Sequence, residues 1–458
     1  MISKLLFAAV LLAFLVAAAR WGLRGAFLFF CLAFPFAVFV DIGRFNLNTP
    51  EFASFMAIFL FAGILALQGT GPRLRRPILP YAPFLLYASA SIPLLITSQA
   101  SPRAFVMVAR PLAFLALAVI GMEVVRNRAD VEQVRRFVGY GVVAALALGV
   151  VEALTVQGFE DVLAWKESLS RLGVLPVTLL EREDVLLSAS YTEGYTGVFP
   201  IHHAYAYFLG VVALFLFSRL LHGAAAKPGG AAAEAVILGL TIFLLLFTKS
   251  RTFQLALPPA LVVGLVVLAR RGVLHRLRIV LIAAVAVPGA IAFGELDVDR
   301  FAAAIALATG DPQEVADGSV LQRLDYQARS LELIRENPWF GAGFHSYGPD
   351  MGQSKPHNAY LHEWQLKGIV GVVGYLFLIG VLFALGWRGY RRESEEPVVF
   401  HFAMTFSVFV MVAGLGSAVI NDVRAAIPLV LAYVAIHALE REGGEGHGDE
   451  SPEAAAQR

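Results

Sequence analysis

Three residues far apart in the chain have the chemistry of a group-transfer site: Arg251, Arg323 and His357. His357 follows Pro356 and precedes Asn358 at the mouth of an apolar run. A histidine side chain can be neutral at working pH and take a proton from a hydroxyl, so His357 is a candidate general base; the alternative is a residue that caps or packs at a helix start. His362 lies five residues on, about 140° around a helix, which is not the same-face geometry that a metal pair needs. Arg323 falls in the first turn of an expected helix, where the positive end of the macrodipole makes a cation mildly unfavourable. Either an anion compensates it, because a helix start plus a guanidinium suits a phosphate, or it pairs with Asp325 or Glu295. Arg251 belongs to Thr248-Lys249-Ser250-Arg251-Thr252, two cations between apolar runs. Near hydrocarbon such cations must snorkel or be paired. The segment is either an interfacial anchor or a place where Arg251 turns inward to hold a phosphate.

The elements that must position these residues are membrane helices. With 58% hydrophobic and 16% charged residues, the chain is too apolar for a soluble domain. The expected fold is an all-α polytopic integral membrane protein. Apolar runs near 3–19, 25–40, 52–68, 78–97, 104–125, 137–155, 203–220, 233–248, 253–269, 277–294, 366–387, 398–417 and 423–438 give about 12 to 13 transmembrane helices. Connections holding Arg20 and Arg24, Arg73 to Arg76, Arg126 and Arg128, Arg219 and Lys227, Arg270 to Arg276, and Arg388 to Arg392 alternate with connections poor in cations. Positive-inside counting puts these clusters in the cytoplasm, and the long loops 157–202 and 295–358 outside. A cleaved signal over 1–19 is the alternative to a first span, but it leaves Arg20 and Arg24 on the outer side.

Loop 295–358 is the expected seat of the chemistry, one long, composition-rich connection among short ones. Ser319-Val320-Leu321-Gln322 has the form of a capping box, and Leu321, Leu324, Ala328, Leu331 and Ile334 recur at helical spacing. This predicts an amphipathic helix over 320–336, stopped by Asn337-Pro338. The chain divides into N-terminal helices with the first long loop (1–194), a catalytic region (195–438) and a disordered cytoplasmic tail (439–458). The only cysteine, Cys31, excludes an intrachain disulfide. A net charge of +1 gives no reason to expect a nucleic-acid partner.

Other candidates are weaker. Arg110 lies well inside the fifth apolar run and must pair or face a polar cavity. His202-His203 could line the same cavity as Arg251 or cap its own helix. Asp297-Val298-Asp299 has the D-x-D form of nucleotide-sugar transferases, but it is expected on the face that lacks nucleotides. Gly368, Gly371 and Gly374 suit close helix packing. No Gly-x-x-x-x-Gly-Lys pattern occurs, so no phosphate-binding loop for a nucleotide is expected.

Taken together, Gly197-x-Phe199 with His203, then Thr248-Lys249-Ser250-Arg251, then Arg323 followed by Glu336-Asn337-Pro338-Trp339-Phe340-Gly341-Ala342-Gly343, and finally His357-Asn358-Ala359-Tyr360-Leu361 with Gly368 resemble the O-antigen ligase and polymerase superfamily. The resemblance covers roughly residues 195–385, and the loop motif is its most specific part. It implies a metal-independent, cofactor-free transferase in the bacterial inner membrane. A glycan would pass from undecaprenyl diphosphate to a lipid A core or to another glycan on the periplasmic face. The superfamily's essential arginines fall on Arg251 and Arg323 and its histidine on His357. Lys249, His203, Arg110, Trp339, Asn358 and Tyr360 are assigned to substrate binding. The ligase is the first reading and an O-antigen or exopolysaccharide polymerase its close alternative. More distant alternatives are a protein O-oligosaccharyltransferase and a polysaccharide transporter, though neither repeats nor matching broken spans favour transport.

Overall fold

The computed structural model describes residues 2–33, 35–36, 39–42, 45–48, 79–98, 102–156, 164–165, 168, 199, 202–223, 230–248, 250–269, 318–343, 356–392, 396–417 and 423–445. The runs expected at 52–68 and 277–294, most of loop 157–202, Asp297 to Asp299 and Lys249 lie outside the described residues. The architecture is helical: α1 (Ile2–Ala33), α2 (Ala82–Ser89) after a 3-10 turn at Leu79–Tyr81, α3 (Pro93–Thr97), α4 (Pro102–Val124), α5 (Arg128–Thr155), α6 (His202–Leu221), α7 (Gly230–Phe247), α8 (Arg251–Ala269), α9 (Gly318–Glu336), α10 (Ala359–Arg391), α11 (Pro397–Ala413) and α12 (Val423–Glu445). One short antiparallel hairpin, β1 (Phe39–Ile42) with β2 (Phe45–Asn48), is the addition to this otherwise all-helical architecture among the described residues. Seven described helical segments are long and apolar enough to cross a membrane, and two shorter apolar helices lie at 252–268 and 397–413.

α11 is the hub. It carries no charged side chain and is buried nearly all round, as a helix apolar on every face must be. It packs against α6, α8, α10 and α12. Small residues on its neighbours let these helices approach. A methyl at Gly389 of α10 or Gly210 of α6 would strike the rings of Phe400 and Phe409, and one at Gly264 of α8 would crowd His401 and Thr405.

Two elements that read as single helices reverse direction inside. Gly22 has φ 62°, and the rings of Phe14 and Phe29 lie 5.8 Å apart, although fifteen residues of straight helix would separate them by roughly 22 Å. The N-terminal element is therefore a hairpin of two helical arms, as the separate runs at 3–19 and 25–40 suggest. Gly368 has φ 70°, and the rings of Tyr360 and Tyr375, again fifteen apart, stand at 5.7 Å. Residues 359–367 thus form a re-entrant helix folded back on the arm 369–391.

One end of the bundle is basic and tied by ion pairs: Arg24 with Asp130 (2.6 Å), Arg128 with Glu396 (2.6 Å), Arg219 with Glu234 (2.5 Å) and Arg388 with Glu440 (2.6 Å). The pairs made by the exposed Arg24, Arg128 and Arg388 contribute about 0 to 1 kcal/mol each, so they orient helix ends more than they stabilise them. They also correct the tail boundary. The chain expected to be disordered from 439 stays helical to Glu445, because Glu440 holds Arg388 and Glu442 accepts from the Arg128 amide at 2.8 Å. At the same end Asn127 caps α5 through Asp130 N, 2.9 Å. α6, α10 and the α7–α8 turn all open away from this basic end.

Candidate active site

At the end of the bundle opposite the arginines, α7 turns into α8 through a buried polar corner. Thr248 donates to Leu245 O (2.6 Å), and the Ser250 amide returns to Thr248 Oγ1 (3.3 Å). Gln254 donates to Leu245 O and Leu246 O at 3.3 and 3.0 Å, satisfying carbonyls that the end of α7 would otherwise leave open. His203, from the first turn of α6, places Nδ1 2.6 Å from Ser250 Oγ. The corner is thereby fixed, and Arg251 starts α8 at its N-terminus, where backbone amides and the macrodipole favour an anion.

The end of α11 joins this corner to the re-entrant helix. Thr252 donates to Gly416 O at 3.3 Å. Two residues earlier in the same turn, Gly414 O accepts the Ala359 amide at 2.7 Å. Sequence neighbours of Arg251 and His357 therefore meet on one helix end. Asn358 is the N-cap of α10, its Oδ1 accepting from Tyr360 N and Leu361 N at 2.9 and 3.1 Å; that oxygen is committed to the helix. The Tyr360 hydroxyl likewise donates to Met411 O at 2.6 Å. Through these bonds both residues position the start of the re-entrant helix.

The segment after α9 is a strap around the tip of this hairpin. Pro338 O accepts from Ile369 N (2.9 Å) and Trp364 Nε1 (3.0 Å), and Ala342 N donates to Gln365 O (2.7 Å). These bonds supply partners for backbone groups that the reversal at Gly368 takes out of the helix. Gly341 is left-handed, with φ 76°, and a side chain there would run into Leu366 O; one at Gly368 would meet the Trp339 carbonyl. The glycines of Asn337-Pro338-Trp339-Phe340-Gly341-Ala342-Gly343 are thus needed by the strap. Trp339 and Phe340 remain 68% and 59% exposed, so only their side chains are available to a lipid or a sugar. Gly368→Ala combines a clash with positive-φ strain. It should lower detergent-extracted stability by more than about 1 kcal/mol, read as a fall in thermal midpoint, and reduce protein in the membrane.

Arg323 lies near the start of α9, which packs on α10 and buries Ser330 and Ile334. Asp325, weighed as its partner, pairs with Arg329 at 3.0 Å. The helix begins at Gly318, two residues before the expected start, so Ser319 lies inside it. The side chains of Arg251 and Arg323 lie outside the described residues. Arg110, on α4, is half-buried with Nη1 3.5 Å from Met107 Sδ, and within electrostatic reach of Tyr87.

Two buried acids escaped the sequence reading. Glu363 forms an ion pair with Lys367 at 2.7 Å, both 1% exposed. Their spacing of four is a legible pair signal; their burial is not. Glu152 of α5 is buried beside Tyr205, whose hydroxyl occupies the notch over Gly149.

Residues 236–376 match the family model described as O-antigen ligase. That region is similar to the O-antigen ligase family. The ligase region runs from α7 to just beyond the hairpin of α10, and so contains Arg251, Arg323, His357, the strap and the re-entrant helix, while α11 and His203 lie outside it. No curated protein matches the chain at a significant level. With its several span-length helices, the chain is a multi-pass membrane protein with a region similar to O-antigen ligases.

Proposed function

We propose that the protein transfers a glycan from undecaprenyl diphosphate to an acceptor hydroxyl at the periplasmic face of the bacterial inner membrane, as an O-antigen ligase. The observation that carries this reading is that close sequence neighbours of Arg251 and His357 meet on the end of α11, the Thr252 hydroxyl on Gly416 O and the Ala359 amide on Gly414 O. Positive-inside counting assigns the arginine-rich end to the cytoplasm, which puts this meeting point on the outer side.

The reaction breaks the bond from the anomeric carbon to the diphosphate oxygen and forms a bond from that carbon to the acceptor oxygen. The bonding pair leaves with the diphosphate, and the acceptor proton goes to His357. Arg251 and Arg323 bind the diphosphate through their planar forks and stabilise the charge that grows on it. The carrier bond supplies the driving energy. His203 and Ser250 hold the corner from which Arg251 starts, Lys249 adds positive charge, and Trp339 offers a ring face to the glycan or its carrier.

Envelope glycans from a deletion strain test the assignment. Full-length chains retained on the carrier, with none on lipid A core, are expected. Single repeat units would instead identify a polymerase, and a normal glycan profile would remove the transferase reading altogether.

A further inference from the structure

We infer that Glu363, Lys367 and Tyr87 form a positioning unit that fixes the rotation of the re-entrant helix and thereby aims His357; the inference rests on the reading of His357 as the acceptor base. Lys367 Nζ lies 2.7 Å from Glu363 Oε2, 3.4 Å from the Tyr87 hydroxyl and 4.4 Å from the centre of the Tyr87 ring, and that hydroxyl donates to Glu363 Oε1 at 3.4 Å. Arg110 of α4 is the further charged group within electrostatic reach of Tyr87.

A buried ion pair is a poor stabiliser, because desolvation offsets most of its attraction and an apolar replacement of the same volume is often as stable. Its presence in an apolar bundle calls for another reason. Residues 359–367 make a rod about 13 Å long, tied at one end by the strap and at the other by Ala359 to Gly414. Apolar side chains would let such a rod turn about its axis. A carboxylate and an ammonium one turn apart that must both reach Tyr87 admit one setting. The setting is passed along the hairpin, since the Tyr87 ring stands 6.4 Å from Tyr375 and Tyr375 5.7 Å from Tyr360, whose hydroxyl holds Met411 O. His357 precedes that turn by two residues.

The test uses the full-length protein in native membranes. Single changes leave a buried charge without its partner and can fail to fold, so the deciding variant is the neutral double, Glu363→Gln with Lys367→Met, supported by Tyr87→Phe. The double variant should reach the membrane at the wild-type level, keep the KM for lipid-linked donor within about two-fold, and lose about 10-fold to 100-fold in kcat, the range that a misplaced catalytic group costs. A second readout is independent of transfer. With Cys31→Ala as background, Ala359→Cys and Gly414→Cys should form a disulfide readily, and several-fold more slowly once the pair is neutralised. Wild-type kcat and wild-type crosslinking in the double variant would overturn the inference and leave the pair a packing element. Should His357→Ala retain transfer, the base assignment fails, and the crosslink alone decides: slowed crosslinking supports a positioning unit, unchanged crosslinking overturns it.

Discussion

His357→Ala is expected to lower glycan transfer by about 10²-fold to 10⁴-fold, the usual contribution of a positioned base, with the protein still in the membrane at its normal level. The second half of that expectation is structural. The start of α10 is capped by Asn358, the re-entrant helix is anchored on Gly414, and its tip is held by the strap, so Asn358 and backbone groups hold this segment at both ends. His357→Asn should fare no better, since an amide keeps hydrogen bonding but cannot accept the acceptor's proton. Purified protein, lipid-linked donor and acceptor give the rate, and immunoblotting of membranes gives the level. Wild-type product from His357→Ala would take this residue out of the site and leave Arg251 and Arg323 without a base beside them. A transporter would respond differently: it would still move glycan lipid across vesicles after His357→Ala, whereas the transferase should accumulate donor.

Most of the helical frame is legible because apolar runs and their basic or Pro-containing ends are local properties. The division of the N-terminus at Arg20 to Arg24, the amphipathic α9 and its stop at Asn337-Pro338 all follow from patterns within a few residues. The re-entrant helix does not. The reading places a span at 366–387, whereas the helix starts at Ala359 and reverses at Gly368, and a glycine in an apolar helix reads as a packing position as readily as a reversal. The positive φ of Gly368 and the approach of the Trp339 carbonyl, both set by tertiary packing, distinguish the two. The same holds for the strap, whose bonds from Pro338 and Ala342 reach the tip of another element. α11 carries no motif at all; it matters because four helices and the two halves of the site meet on it. The Glu363 and Lys367 pair is visible as a spacing, but its role depends on Tyr87, some 280 residues away in sequence.

Arg251→Ala and Arg323→Ala should each reduce kcat/KM for the lipid-linked donor by about 10²-fold to 10³-fold, as loss of one charge-stabilising donor typically does. Lysine at either position should recover little, because an ammonium keeps the charge but not the planar pair of donors that matches a diphosphate. The informative variant is the double alanine. If both guanidinium groups act on one leaving diphosphate, each single change already disrupts the shared site and the double should cost little more than the worse single; groups that act as a unit are far from additive. Independent effects that multiply would mean separate anions, and the convergence of the two arginines would have to be abandoned. The geometry makes this a real choice. Arg251 starts α8 beside the end of α11, but Arg323 lies thirteen residues before the end of α9, roughly 20 Å along the helix from the strap. The strap fixes where α9 ends, and coupling between the two arginines measures whether its other end reaches back over the site.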